Sequence, residues 1–453
     1  MPGHATTLAL LAGLGGCVVS GQAKIDACQW FGGACQGDAD CCGGGLVCAP
    51  AGVCAYRAGT NGGSGTSAGA GGSGTSSGTT TGSTTGPGAG VSSSSGAGSG
   101  SSSGSGSGST SGGNTAFVTA AHQMPQVPNH GGAVFASPVL DVVTYANDTN
   151  RATEEAFAAF LVQSTWLSTV GPEYGIGPGT VHAVELVANA PGSIDDSGIQ
   201  SVIASQTSGA VLGSTVFMIF FPAGTAVSAN GQALCGFASG YHAEAQASGN
   251  DYAYAVIPDC LGGKSGELEA IESAAAHEFF EAVTDPFPSD SAAWVIQDPT
   301  NPWHALGGEL ADLCASVLPQ WSEGGYPQIA RIYSNQAARA GGDPCLPAVG
   351  TYFGSDPEPA PVAEVAAGSH ATFQVTGWST VLVAPWELQA VPYGGTFTPT
   401  LSLTATSIGN GGTAALTVGV PVGAASGDYA LVQLGSIDPS NDQSSAFVGV
   451  AVP

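Results

Sequence analysis

The run Ala276-His277-Glu278-Phe279-Phe280-Glu281-Ala282-Val283-Thr284-Asp285-Pro286 combines an imidazole with carboxylates at a spacing that suits metal ligation. On a helix, residues four apart share a face about one turn up, so His277 and Glu281 are placed to bind one ion together. Glu278 then projects about a quarter turn away, where it can act as general base on a metal-bound water. The zinc-hydrolase signature HExxH ends in a second histidine; Glu281 stands there instead, and the chain reads HExxE. A second acidic pair, Glu309 and Asp312, lies three residues apart in Gly308-Glu309-Leu310-Ala311-Asp312-Leu313-Cys314, so on a helical turn both carboxylates face one way. Either supplies a third protein ligand and leaves a fourth position for water, as catalytic zinc requires. The competing reading of that pair is an acidic surface turn capped near Gly308.

One imidazole with two or three carboxylates is a harder donor set than zinc usually meets, which keeps calcium as the alternative ion. His242 or His304 would soften the set, but neither carries motif support, and each reads more readily as an ordinary surface or core histidine. A nucleophilic triad is disfavoured: no G-x-S-x-G element precedes a helix, and the cysteines are accounted for by disulfides.

The elements that must position these residues occupy a central region, about 116–350. Residues 133–145 are rich in β-branched and aromatic types and predict a strand. Residues 153–170 carry Phe157, Phe160, Leu161 and Leu167 at helical spacing. Residues 181–187 and 215–221 predict strands, the second apolar on both faces and therefore central in a sheet. Residues 235–260 read as a loop-rich insert ending in a strand at 252–258, and 266–283 as the helix that carries HExxE. Strands before the helix and loops after it suit an α/β or α+β layer fold, zincin-like if the metal reading holds. Cys235 with Cys260 and Cys314 with Cys345 are expected to pair as neighbours in sequence. Each loop of about 25 to 30 residues gains about 3 kcal/mol by loop entropy, which rigidifies the segments flanking the site.

The flanking regions have other textures. Residues 1–23 contain a short apolar run suited to export, with Leu14-Gly15-Gly16-Cys17 reading as a lipoprotein box and Gly21-Gln22-Ala23 as a rival cleavage site. Of 11 cysteines, lipidation or removal of Cys17 leaves ten, an even number that fits an oxidising compartment. Residues 24–56 hold Cys28, Cys35, Cys41, Cys42, Cys48 and Cys54, a unit too small to fold without staples. Six cysteines allow fifteen connectivities. Residues 57–115 are almost wholly Gly, Ser, Thr and Ala, a flexible tether with a reach of about 40 Å. Residues 351–453 alternate apolar and polar positions in short runs separated by Gly and Asn, predicting an immunoglobulin-like β-sandwich with His370 on its surface. With 33 acidic against 6 basic residues and a net charge of -27, the chain repels phosphate backbones and anionic lipid. Nucleic acid is excluded as a partner, and a membrane is met only through the N-terminal lipid anchor.

The C-x6-C-x5-CC-x5-C-x5-C spacing resembles small cystine-knot modules, and that resemblance implies Cys28 with Cys42, Cys35 with Cys48 and Cys41 with Cys54. A broader likeness covers residues 127–346. Asn129-His130-Gly131-Gly132-Ala133-Val134-Phe135, the segment 164–177, Cys235-Gly236-Phe237, the HExxE run with its Thr-Asp-Pro tail and Glu309-Leu310-Ala311-Asp312-Leu313-Cys314 resemble, in that order, the phosphate-induced or EXORDIUM-like family of secreted proteins. In its plant members an Asn usually follows that threonine, where this chain has Asp285. The resemblance implies an extracellular or wall-associated protein in which the HExxE helix and the Glu309/Asp312 element form one constellation. Two functions follow as expectations. One is a secreted or surface-tethered zinc-dependent peptidase-like hydrolase with Glu278 as base. The other is a non-catalytic adhesion or signalling module that meets an extracellular protein or cell-wall polymer and holds a structural ion or none.

Overall fold

A computed structural model describes residues 117–453 apart from 207–212, 236–237, 248–249, 299–300 and 359–361, together with two short strands, β1 (Leu46–Cys48) and β2 (Cys54–Tyr56). Those two pair antiparallel with Cys48 opposite Cys54. Cys17, the pairing of the six cysteines between 28 and 54, and the Gly/Ser run lie outside the described residues.

The central region is organised on a five-stranded sheet of β3 (Val139–Tyr145), β4 (Thr180–Val187), β6 (Thr215–Phe221), β9 (Tyr241–Ala247) and β10 (Asn250–Pro258), in the order β4-β3-β6-β10-β9. The strands β4, β3, β6 and β10 run parallel, and β9 is an antiparallel edge. Every residue of β6 is buried, as its unbroken apolar run requires of the middle strand. Two shorter strands, β5 (Ser193–Asp195) and β8 (Gln232–Ala233), flank β7 (Ala226–Ala229) in a separate three-stranded sheet.

The side-chain period of two sends alternate residues to opposite faces of the large sheet. One face, with Leu140, Val142, Val216, Met218, Phe220, Ala253, Ala255 and Ile257, packs on α1 (Arg151–Leu161), α2 (Thr165–Val170) and α4 (Glu267–Thr284). The other, with Val143, Phe217, Ile219, Tyr252, Tyr254 and Val256, packs on α3 (Asp196–Gln206) through Ile199 and Ile203. The helix expected over 153–170 is broken in two, because the Ser164 side chain accepts from Leu167 N and caps a new N-terminus. Within α4, every residue from Ala274 onward is buried, the polar His277, Glu278, Glu281 and Thr284 included, so this part of the helix lies inside the molecule.

The C-terminal region is a two-sheet sandwich of four and five strands, spanning 353–451. Apolar residues of both sheets, among them Phe373, Trp386, Leu416 and Val448, close its core. His370 is exposed. The described chain is β-rich with few helices, and the expected C-terminal sandwich accounts for much of that strand. The two expected disulfides of this part are present, Cys235–Cys260 and Cys314–Cys345.

Candidate metal centre

The α4 helix carries His277, Glu278 and Glu281 at its buried end, where Thr284 Oγ1 donates to Phe280 O and Asp285 N donates to Glu281 O. Helical spacing brings His277 Nε2 to 3.1 Å from Glu281 Oε1. The segment after α4 returns along the same end, and Asp312 Oδ1 lies 3.5 Å from His277 Nε2. Glu309 and Asp312 reach the site as expected, but not on a helical turn. Gly307 and Gly308 both hold positive φ, Glu309 is bridged to Val295, and only Asp312 begins a short 3-10 turn, Asp312–Cys314; Glu309 N donates to Asp312 Oδ2. A Cβ on Gly307 would collide with the Asp312 carboxylate, so glycine is what lets that side chain fold back.

The second imidazole is His242, and it comes from β9. The strand expected at 252–258 is β10, and within the insert it pairs with a second strand, β9, where the sequence suggests loop: Tyr241 and Ala243 face α3, and His242 between them faces α4, opposite the small Ala255 of β10. His242 Nδ1 lies 3.5 Å from Glu281 Oε2 and 3.7 Å from Glu278 Oε2, and its Nε2 lies 3.5 Å from Glu309 Oε1. The signal for it in the sequence is the alternation Tyr241, Ala243, Ala245 against His242, Glu244, Gln246. His304 does not join the cluster; its Nδ1 is held by Ile296 O at 2.8 Å. Asp285 does reach it: Oδ1 accepts from Ala293 N, and the carboxyl lies beside Glu309.

All seven side chains are buried, with His277 the most exposed at 5% and Glu281 and His242 at 0%. Burial pushes the Glu278 carboxyl up to about 7 against the pull of the two histidines. Burial also acts on Glu281, but His277 and His242 on either side outweigh it and hold that carboxyl at about 2. Asp312 rises to about 6 and Glu309 rises well above the carboxylate range, in both cases through burial first and neighbouring carboxylates next. His242 is pushed down by burial and up, further, by Glu309, Glu278 and Glu281.

Whether these residues suit an ion can be tested on their spacing. Two donors about 2.1 Å from one ion, 90 to 110° apart, lie about 3.0–3.4 Å from each other. Of the imidazole-to-carboxylate separations in the cluster, the 3.1 Å of His277 and Glu281 falls at that distance and those of 3.5 Å lie just beyond it. Both oxygens of Glu281, both of Glu309, Oδ1 of Asp312 and Oε2 of Glu278 are buried without an aligned hydrogen bond among the described residues. Even at 3.1 Å, the Glu281 Oε1 and His277 pair is misaligned for one. Buried carboxylate oxygens in that condition are expensive unless a cation meets them. Two imidazoles in place of one also bring the donor set within the range that zinc accepts.

No family model matches this chain, and no curated protein matches it. Among solved structures, the S-layer protein SbsC domains 4 and 5 are 24% identical over 22% of this chain and 50% of that one, with a TM-score of 0.17. The chain thus spans about half of that structure, and only 12% of SbsC domains 1–6. The fimbrial subunit AggA from Escherichia coli is 11% identical over 23% of this chain and 97% of its own, with a TM-score of 0.15. OgpA from Akkermansia muciniphila, solved with an O-glycopeptide, is 9% identical over 73% and 95%, with a TM-score of 0.18. Likenesses this weak decide neither family nor activity, and none supports the zincin-like assignment. Among the described residues, no helix is long and apolar enough to cross a membrane.

Proposed function

We propose that the chain is a secreted or surface-tethered metal-dependent hydrolase, peptidase-like, with zinc the ion that best fits its mixed imidazole and carboxylate donors. The observation that carries this reading is the convergence of His277, Glu281, His242, Glu309 and Asp312 from three separate segments on one buried point. His277 and Glu281 would hold the ion from α4, His242 from β9, and Glu309 with Asp312 from the returning loop. When bound, the ion would acidify a water and polarise the scissile carbonyl. Glu278, buried beside His242, would take the proton from that water and pass it to the leaving amine. Gly240 makes room for it, since a Cβ there would sit 2.9 Å from Glu278 Cγ.

The complete burial of the donors favours a second reading, a structural ion in a non-catalytic extracellular module of the kind that the EXORDIUM-like resemblance suggests. The two separate in one experiment. The zinc-loaded full chain is assayed on a broad peptide mixture beside Glu278→Gln. Turnover that falls at least a hundredfold in the variant, with zinc content unchanged, supports the hydrolase. Full metal content with no turnover in either protein would leave the structural role.

A further inference from the structure

We infer that the buried cluster is built for two divalent cations bridged by the carboxylate of Glu281. This deepens the metal-dependent reading above and rests on it. The two oxygens of Glu281 address different imidazoles: Oε1 lies beside His277 Nε2 at 3.1 Å, and Oε2 beside His242 Nδ1 at 3.5 Å. Donor atoms of His277, Glu278 and Glu281 lie mutually within 4.8 Å, as do those of His242, Glu281 and Glu309; Glu281 is common to both groups, and Glu278 stands beside the first as the base. Asp312 extends the first set through His277. A carboxylate that offers one oxygen to each of two ions spans the separation of about 3.5–4 Å found in two-metal hydrolytic sites.

Charge points the same way. Glu278, Glu281, Asp285, Glu309 and Asp312 bring five carboxylates into one water-poor region. Their main electrostatic neighbours are the two histidines and one another, with no lysine or arginine among them. Fully ionised, the five carry five negative charges, of which one divalent ion offsets two and two ions offset four, leaving one carboxyl to hold a proton. A buried cluster of net charge far from zero is not tolerated in low dielectric. His277 and Asp312 lie on one side of Glu281; His242 lies on the other, turning Nδ1 toward Glu281 and Nε2 toward Glu309.

The test is stoichiometry. The full chain, stripped with a chelator, is reloaded with zinc sulfate, freed of excess metal and analysed for zinc per chain, with isothermal titration of zinc as the second readout. Two equivalents are expected for the unaltered chain, about one for His277→Asn and for Glu309→Gln, and less than one for Glu281→Gln. Circular dichroism confirms that each variant is folded, and the unaltered chain decides the stoichiometry should any of them not be. One equivalent in the unaltered chain overturns the paired site and leaves the single-ion hydrolase standing. None overturns both. Two equivalents that persist in folded Glu281→Gln overturn the bridge.

Discussion

Glu154 shows what one buried carboxyl does away from the metal centre. It sits on the first turn of α1 at 2% exposure, with Oε2 lacking a hydrogen-bond partner among the described residues. Burial, then the Asp148 and Asp259 carboxylates, push it up to about 9. A carboxyl raised in the folded state keeps its proton where the unfolded chain has lost its own. Stability from this group is therefore undiminished below the ordinary value near 4.5, and falls as pH rises from there to about 9. Glu154→Gln removes the penalty. It should raise stability at pH 8 by about 2 kcal/mol and leave it unchanged at pH 4, read from urea midpoints at both. Gly240 makes a comparable point on the catalytic side. Gly240→Ala puts a methyl 2.9 Å from Glu278 Cγ and 3.1 Å from Val256 O, and the Val256 carbonyl is sheet backbone that cannot give way. Turnover should fall at least tenfold while zinc content holds, at a stability cost of about 1–2 kcal/mol.

At the scale of elements, the helix that carries the site is legible in the sequence and the strand that completes it is not. The α4 helix announces itself through helix-forming Ala and Glu residues, acidic side chains in its first turn and a glycine at its N-cap. The β6 strand is legible for the same kind of reason, seven apolar residues in a row. By contrast, β9 is an edge strand whose outer half, Glu244 to Ala247, is polar or small, and glycines flank the hairpin on both sides. Its inner half alternates, but over too few residues to stand out, and its register comes only from pairing with β10. His242 is thus readable from the sequence only as a candidate without motif support, no better than His304, until the hairpin is closed. The Glu309/Asp312 pair was legible as a pair through its spacing, while its geometry depends on two glycines with positive φ. The hairpin is also where a covalent tie matters. Cys235–Cys260 joins the start of the β9 hairpin to the end of β10 and closes a loop of 25 residues. Replacing both cysteines with serine should lower stability by about 3 kcal/mol. Because the freed segment leads directly into His242, zinc affinity should fall at least tenfold as well, measured by competition with a chromogenic chelator. Unchanged affinity would mean that β10 pairing alone holds the imidazole in place.

The molecule as a whole ties its central domain to its sandwich more closely than a division near residue 350 implies. Residues 117–127 do not belong only to the central domain: Ala120 N donates to Asn410 Oδ1, Gln123 N to Asp356 Oδ2, and the His122 ring stacks on Trp378 with centroids 3.6 Å apart. The same arm is then anchored centrally, where Val127 exchanges hydrogen bonds with the side chain of Asn335. On the other side, Leu318 and Gln443 exchange backbone hydrogen bonds of 2.9 and 3.1 Å, and Trp303 packs edge-on against Phe447. Trp378 of the sandwich and Tyr352 just before it, their rings packed together at a tilt, belong to the same buried cluster as the central core. Central core, returning loop and sandwich thus share side chains, and the loop they clamp is the one that carries Glu309 and Asp312. Loss of the sandwich would expose this surface and free that loop. Calorimetry of the zinc-loaded chain should accordingly show one cooperative transition for both regions, shifted down by about 3 °C or more when the metal is stripped. A sandwich that melts separately, at a temperature indifferent to chelator, would show that these contacts do not couple the two, and the site would then depend on the central domain alone.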